Sequence, residues 1–532
     1  MATRHRIDEA LTSERMGDVE KYFQSLTTMI DANSGIHDFK LLTADCSNVN
    51  APFKSDQFTT FKLTDPSMDI VDISKGFITM KCDIDIQFLF KNLKGTSDSS
   101  MRENTVFFIG FKSGAHIINN YNVFSNGRMT ACKNTKSKYE QTIVYNCKAE
   151  QEKANRPGMY SSHKHVREMD QCVCGTYVTL PPFADKNTTQ TISFDVVIQI
   201  DDLLPFSAVS YFPRFINKEL ELQISCNLVQ NMVFCQVPFK SVIEHKISNI
   251  TQMTEDGTLL SMVHVPADYR FTQCGDYVES ALGYTEEAKV VTSASVSIIP
   301  FNLNVLEAKS YIYGFNIKET TKQNIIRTFS QNNFVIPAQW VEHYTFSQLP
   351  TSRNITTNIQ IPMNNACQVI MTFPNSGHQL TVSRNPHLES VQCHISDRVI
   401  PDKYFSTLDR THAEMTMANL NLDSLFTAPE ELVESLIRDR KQYGTYTLKK
   451  IDDSDYMLVF NLERFGNGCF CDGLSGDHIP INLNANYMYS DNNPHYYVND
   501  EGTKKLSVQN INLFVVQDAF WIFTPDGGEF VR

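Results

Sequence analysis

Between Phe77 and Phe88 the chain alternates strictly. Ile78, Met80, Cys82, Ile84, Ile86 and Phe88 are apolar or thiol, while Thr79, Lys81, Asp83, Asp85 and Gln87 between them are polar. A period of two puts every apolar side chain on one face of an extended strand, whereas a helix would scatter them around its circumference. The same pattern returns at Ile192, Phe194, Val196, Ile198 and Ile200, and at Leu220, Leu222 and Ile224 against Glu221, Gln223 and Ser225. Shorter apolar runs at 106–111, 117–124 and 232–237, punctuated by Gly, Asn, Asp and Pro, read as further strands. One β unit therefore spans about residues 40–245.

The second half follows the same style without repeating the letters. Strands are expected at 310–317, 334–336, 340–346, 355–361, 368–373, 391–395, 457–462, 481–489 and 511–523. Two segments break the pattern. Residues 1–30 carry Ile7, Leu11, Val19, Tyr22, Phe23, Leu26, Met29 and Ile30 near a 3.6-residue spacing, which predicts an amphipathic helix whose apolar face needs a partner. Thr427-Ala-Pro-Glu430 starts a second helix with a capping box and an early Pro, continued by Leu432, Val433, Leu436 and Ile437. A parallel α/β fold would need a helix after nearly every strand, and a repeat architecture would show a short period. Neither is seen, so the expected class is all-β, with short strands and long polar loops in two successive sandwich-like units.

Composition narrows the function. The 532 residues exceed one ordinary core, and 42% hydrophobic with 20% charged residues is globular composition. Net charge is −13 with no long basic block, which argues against direct sequence-specific nucleic-acid binding. Thirteen cysteines, an odd number scattered from Cys46 to Cys471, suit reduced thiols in an intracellular folding compartment. Neither a spanning run of apolar residues nor a secretory leader is apparent. The sequons at Asn187, Asn249 and Asn354 are therefore expected to stay unused.

Candidate chemistry is sparse. Cys132, Cys147, His163, His165, Cys172 and Cys174 fall in one polar region and could in principle hold zinc. The one-residue spacers in His163-Lys-His165 and Cys172-Val-Cys174 are poor chelate geometry on a strand, and buried thiols with exposed imidazoles are the competing reading. Cys469-Phe-Cys471 has one intervening residue where redox pairs use two. Gly473-Leu-Ser-Gly476 has the wrong spacing for a nucleophile elbow, and phosphate-binding loops and zinc-protease motifs are missing. The acidic pairs Asp201-Asp202, Glu430-Glu431 and Asp452-Asp453 read as solvated turns or helix starts. The tail Thr524-Pro-Asp-Gly-Gly-Glu-Phe530 reads as a turn, although viral cysteine proteases also cut at Gly-Gly. No catalytic, cofactor-binding or metal residue is assigned, and no enzyme activity is expected.

Three stretches carry a resemblance. Phe61-Lys-Leu-Thr-Asp-Pro-Ser-Met-Asp-Ile-Val-Asp-Ile-Ser-Lys-Gly-Phe-Ile78 leads straight into the alternating strand. Ile198-Gln-Ile-Asp-Asp-Leu-Leu-Pro-Phe206 is followed by Leu220-Glu-Leu-Gln-Ile224. Asn385-Pro-His-Leu-Glu-Ser-Val-Gln-Cys-His-Ile-Ser-Asp-Arg-Val-Ile-Pro401 reads as Asn-Pro, a strand, then an Ile-Pro turn. In their order and spacing they resemble the double jelly-roll major capsid proteins of Polinton/Maverick and adintovirus-like elements, in the adenovirus/tectivirus lineage. The resemblance implies two tandem eight-stranded jelly rolls with a few helices in loops. It divides the chain into an N-terminal helical arm at 1–35, a first roll at 36–250 and a second at 251–532. It further implies homotrimers forming pseudo-hexagonal capsomers of an icosahedral shell, no cofactor, and location in the virion after assembly inside the host cell. Partners would be other copies of the chain and minor or penton capsid proteins, with a possible internal-membrane or minor-protein contact through residues 1–32. The wide loops 125–190 and 396–455 would form outer towers or clasps. The alternative is a β-sandwich carbohydrate-binding or carbohydrate-active protein. That reading needs aromatic sugar platforms, and Trp340 and Trp521, the two tryptophans, both sit in apolar strand patterns that predict core burial.

Overall fold

The computed structural model describes stretches of residues 35–531, chiefly within 35–94, 113–156, 189–226, 290–373, 388–420, 456–463, 473–487 and 510–531, with short strands between them. The predicted helices at 1–30 and 427–437 lie outside the described residues, as do His163, His165, Cys172, Cys174, Cys469 and Cys471.

The alternating segment is the centre of the first half. It belongs to a 25-residue strand, Ile70–Lys94, paired antiparallel with Val290–Asn316 on one side and Thr189–Gln199 on the other. The sheet runs His37–Asp45, Val290–Asn316, Ile70–Lys94, Tyr211–Pro213, with Val278–Thr285 and Phe53–Lys54 also on the 290–316 strand. A second sheet orders Thr59–Lys62, Leu220–Cys226, Ile118–Ser125 and Arg128–Lys133. Ile78, Met80, Cys82, Ile84 and Ile86 from the first sheet and Phe61, Tyr121, Val123, Leu222 and Ile224 from the second form one cluster, each at most 2% exposed. Two of the intervening polar residues bond across strands. Lys81 pairs with Glu307 at 3.2 Å, and Asp85 accepts from Thr191 at 2.7 Å and from Asn302 at 3.2 Å.

In the second half, a nine-stranded sheet orders Phe334–Ser347, Asn510–Thr524, Ile359–Thr372, Leu474–Tyr487, Leu388–Ile395 and Arg398–Phe405, with Asn354–Thr356, Leu458–Asn461 and Gly527–Val531 as side branches. Strand Ile359–Thr372 changes partner along its length. Residues 359–366 pair with 474–481, and residues 368–371 pair with 458–461. Register shifts between Ile361 and Met363 and between Met363 and Ala366 mark the change, since bulges bend a strand enough to serve two layers. A second apolar cluster fills the enclosed space, including Ile361, Val369, Met371, Val391, Cys393, Phe460, Ile481, Leu483, Leu513 and Val515.

Several expectations are corrected. The segments 334–336 and 340–346 are one strand through Pro337, Phe334–Ser347, and 310–317 is the end of the 27-residue strand Val290–Asn316. Because that strand pairs with Ile70–Lys94, the first sheet draws on residues beyond 250. The Ile-Pro pair at 400–401 lies inside strand Arg398–Phe405, and the reversal falls at Ser396 (φ 58°) and Asp397. Within 125–190 and 396–455 the described residues include helices Ser137–Asn146, Glu150–Asn155 and Arg410–Asn419, and the first of these packs inward. Strand His37–Asp45 and helix Glu319–Phe329 were not anticipated.

Candidate functional site

The most elaborate side-chain constellation among the described residues lies where the two halves meet. Strand Thr189–Gln199 ends in two consecutive 3-10 turns, Ile200–Asp202 and Leu204–Phe206, closed by Leu203 N–H to Ile200 C=O (3.1 Å) and Phe206 N–H to Leu203 C=O (2.8 Å). Pro205 suits the start of such a turn because its φ is already fixed and it has no amide proton to leave unpaired. The turn carries Asp202 and Phe206 into the interior.

Helix Ser137–Asn146 is tied to this turn by polar groups. Gln141 Nε2 donates to Asp202 C=O at 3.2 Å, Tyr121 Oη donates to Glu140 Oε1 at 3.2 Å, and Leu204 N–H points to the same oxygen at 3.5 Å. Just after the helix, Lys148 Nζ lies 2.7 Å from Asp202 Oδ1 and 3.4 Å from Glu152 Oε1, with Lys148 and Asp202 both buried. Burial opposes the ammonium, but the carboxylates of Asp202, Glu152 and Asp201 outweigh it and hold Lys148 above the usual lysine value. Burial likewise opposes the Glu152 carboxylate, and Lys148 prevails in holding it below the usual range. His116 meets the middle of the helix. Ser113 N–H donates to its Nδ1 at 3.2 Å, which leaves Nε2 as the protonated nitrogen of a neutral ring facing Thr142 Oγ1 at 3.4 Å.

Aromatic side chains from the second half complete the joint. Trp521 Nε1–H donates to Pro205 C=O at 2.5 Å, and its ring stacks on Phe206 with centroids 6.0 Å apart. Phe530 packs between Trp521 (5.2 Å) and Trp340 (5.5 Å). Ser125 Oγ, fully buried, accepts from Asn217 Nδ2 at 2.7 Å and from Gly528 N–H at 3.0 Å. Trp340, Trp521 and Phe530 thus enter the first apolar cluster, while Ile143 and Leu204 enter the second beside Val341. Each half plugs side chains into the other's core.

This arrangement ties the two halves together through hydrogen bonds and ring contacts. Four of the described thiols are poor nucleophiles, since burial pushes Cys226 up to about 12 and Cys147 up to about 11, and raises Cys82 and Cys393 further still. Cys132 and Cys147 are thiols outside any disulfide, and among the described residues no three His, Cys, Asp or Glu side chains come together as metal ligands. The two tryptophans are 2% and 1% exposed and offer no sugar platform. A second buried polar site, His412 with Tyr456, is enclosed: Tyr456 Oη lies 2.8 Å from His412 Nε2, Phe405 stacks on the imidazole, and burial drives His412 down to about 3. Sequence reasoning had singled out Asp202 as a solvated turn acid and had missed Lys148, Glu140 and His412. A buried charge leaves no trace in hydrophobic periodicity, and the one available signal was the Leu-Pro-Phe turn itself.

No protein-family profile and no curated protein matches the sequence. Similarity appears in solved structures. A chain of the Sputnik virophage, determined by cryo-EM at 3.5 Å, matches with TM-score 0.50 at 10% identity, covering 93% of this chain and 88% of that one. The mavirus major capsid protein matches with TM-score 0.48 at 10% identity, covering 92% and 89%, and the Faustovirus major capsid protein with 0.43 at 6%, covering 92% and 91%. The likeness to the Sputnik chain is one of fold, and it holds along nearly the whole length: this chain is a double jelly roll.

Proposed function

We propose that this protein is a structural capsid protein, a homotrimer whose six jelly rolls form a pseudo-hexagonal capsomer of an icosahedral viral shell. The observation that carries the reading is the double jelly roll extending over 93% of the chain in common with a virophage chain. The interlocked joint supports it, because a shell protein needs its two rolls held at one fixed angle, and the bond from Trp521 to Pro205, its stack on Phe206 and the bond from Gly528 to Ser125 supply that constraint. The role is structural rather than catalytic, and the site of action is the virion. Minor and penton capsid proteins would meet the assembled capsomers, and the net charge of −13 suits a shell that leaves nucleic acid to other proteins.

For the domain division we propose an arm at 1–35, a first roll from 36 that takes in strand Val290–Asn316 as well as the residues to 250, and a second roll over the remainder. Electron microscopy of the purified protein tests the function. Three-fold, six-lobed particles or closed shells are expected; two-lobed single chains at micromolar concentration would refute the assembly.

A further inference from the structure

The outward face of the first sheet carries an apolar aromatic platform beside the start of the described chain. Strand His37–Asp45 forms the sheet's edge, and Leu41 stands opposite Tyr313 and Thr43 opposite Tyr311 in register. Phe77 stacks on Tyr311 at 4.5 Å and touches Tyr313 at 6.4 Å, while Phe315 lies between Phe39 (5.5 Å) and Tyr211 (5.8 Å). Directly paired residues share a face, so Leu41, Tyr311, Tyr313 and Phe77 lie on one surface crossing three adjacent strands, about 10 Å wide at the spacing of a sheet, with the buried ring of Phe315 beneath Phe39 at its rim. Phe39 is 74% and Leu41 51% exposed. Phe39 is the most exposed of the large apolar side chains among the described residues. A contiguous patch on an edge strand is a liability unless something covers it.

The chain outside the described residues supplies a covering of the right chemistry and reach. Residues 7–30 carry eight apolar side chains at helical spacing, from Ile7 to Ile30. As a helix they would extend about 36 Å, more than the width of the platform. The attachment point is at the platform's rim: Gly35 packs so closely on Lys318, three residues past Phe315, that an added Cβ would meet its side chain at 2.3 Å. From Ile30 the connection to Gly35 can span roughly 16 Å, enough to turn back over the face.

We propose that residues 7–30 dock their apolar face on the Phe39, Leu41, Phe77, Tyr311 and Tyr313 platform of the same chain, capping the sheet edge. This goes beyond the capsid reading and does not depend on it. The test uses the full chain with a benzophenone amino acid in place of Leu41, a photochemical probe that avoids confusion from thirteen native cysteines. Chains of normal and heavy nitrogen are mixed before irradiation. Cross-links to residues 7–30 within single-isotope chains are expected. Mixed-isotope cross-links would overturn the proposal in favour of a neighbouring copy's segment. Absence of cross-links, with residues 1–34 instead required for binding to phosphatidylserine vesicles, would overturn it in favour of a membrane surface. In parallel, Phe39→Ser/Leu41→Ser should speed amide exchange across residues 7–30 by about tenfold or more while the control Tyr404→Ser does not; unchanged exchange contradicts the docking. Particle mass is read on the same sample. A monomer that gives the intrachain cross-link refutes the capsid reading alone, and a trimer that lacks it refutes the docking alone.

Discussion

Trp521 serves two structures at once: its indole N–H satisfies the Pro205 carbonyl of the first roll while its ring fills space between Phe206 and Phe530. Truncation removes both, so Trp521→Ala should cost about 3–5 kcal/mol in urea unfolding. Trp521→Phe should cost less, because the stacking survives and only the donor is lost. Lys148 is the other critical residue. Its loss removes a buried cation from beside the Asp202 carboxylate, and Lys148→Met should destabilise by about 3–5 kcal/mol, largely recovered in Lys148→Met/Asp202→Leu. His412 gives the pH signature. Its folded value is depressed to about 3 by burial, so its contribution is present above the unfolded value near 6.5 and is lost as pH falls towards 3. At pH 4 this amounts to on the order of 3 kcal/mol. Unfolding titrations of the wild type should steepen below pH 6.5, and His412→Phe, which keeps the stack on Phe405, should flatten that slope while lowering stability at neutral pH.

At the level of elements, strands with one buried face were legible and their partners were not. Ile78 to Ile86 alternate in sequence and are all core in the structure, because burial of one face is what selects such a pattern. Nothing local announces that Ile70–Lys94 pairs with Val290–Asn316, some two hundred residues away. Helix Ser137–Asn146 escaped because its inward side mixes Glu140, Gln141 and Thr142 with Ile143 and Tyr145, so polar anchoring to the Asp202 turn replaces an apolar stripe. Strand His37–Asp45 escaped because Leu41 and Leu42 put apolar side chains on both of its faces. The 3-10 turn Gly114–Ile117, which feeds strand Ile118–Ser125, needs a close backbone approach: a Cβ on Gly114 would lie 2.0 Å from the Val197 carbonyl oxygen. Gly114→Ala must therefore separate that turn from strand Thr189–Gln199, with an expected loss of about 1–3 kcal/mol in thermal or urea unfolding.

For the whole molecule, two sheet systems with separate apolar clusters exchange side chains at one joint, in a chain whose halves share no obvious sequence repeat. The double roll was legible from strand spacing and from the three family-like stretches, whereas the joint emerged only from geometry. A double roll with its tryptophans enclosed is suited to tiling, and on the capsid reading its activity is its association. Solution mass by light scattering measures that association directly. The account predicts a particle near three times 60.6 kDa, or closed shells, with no monomer at micromolar protein. A homogeneous 60.6 kDa species under the same conditions would contradict it.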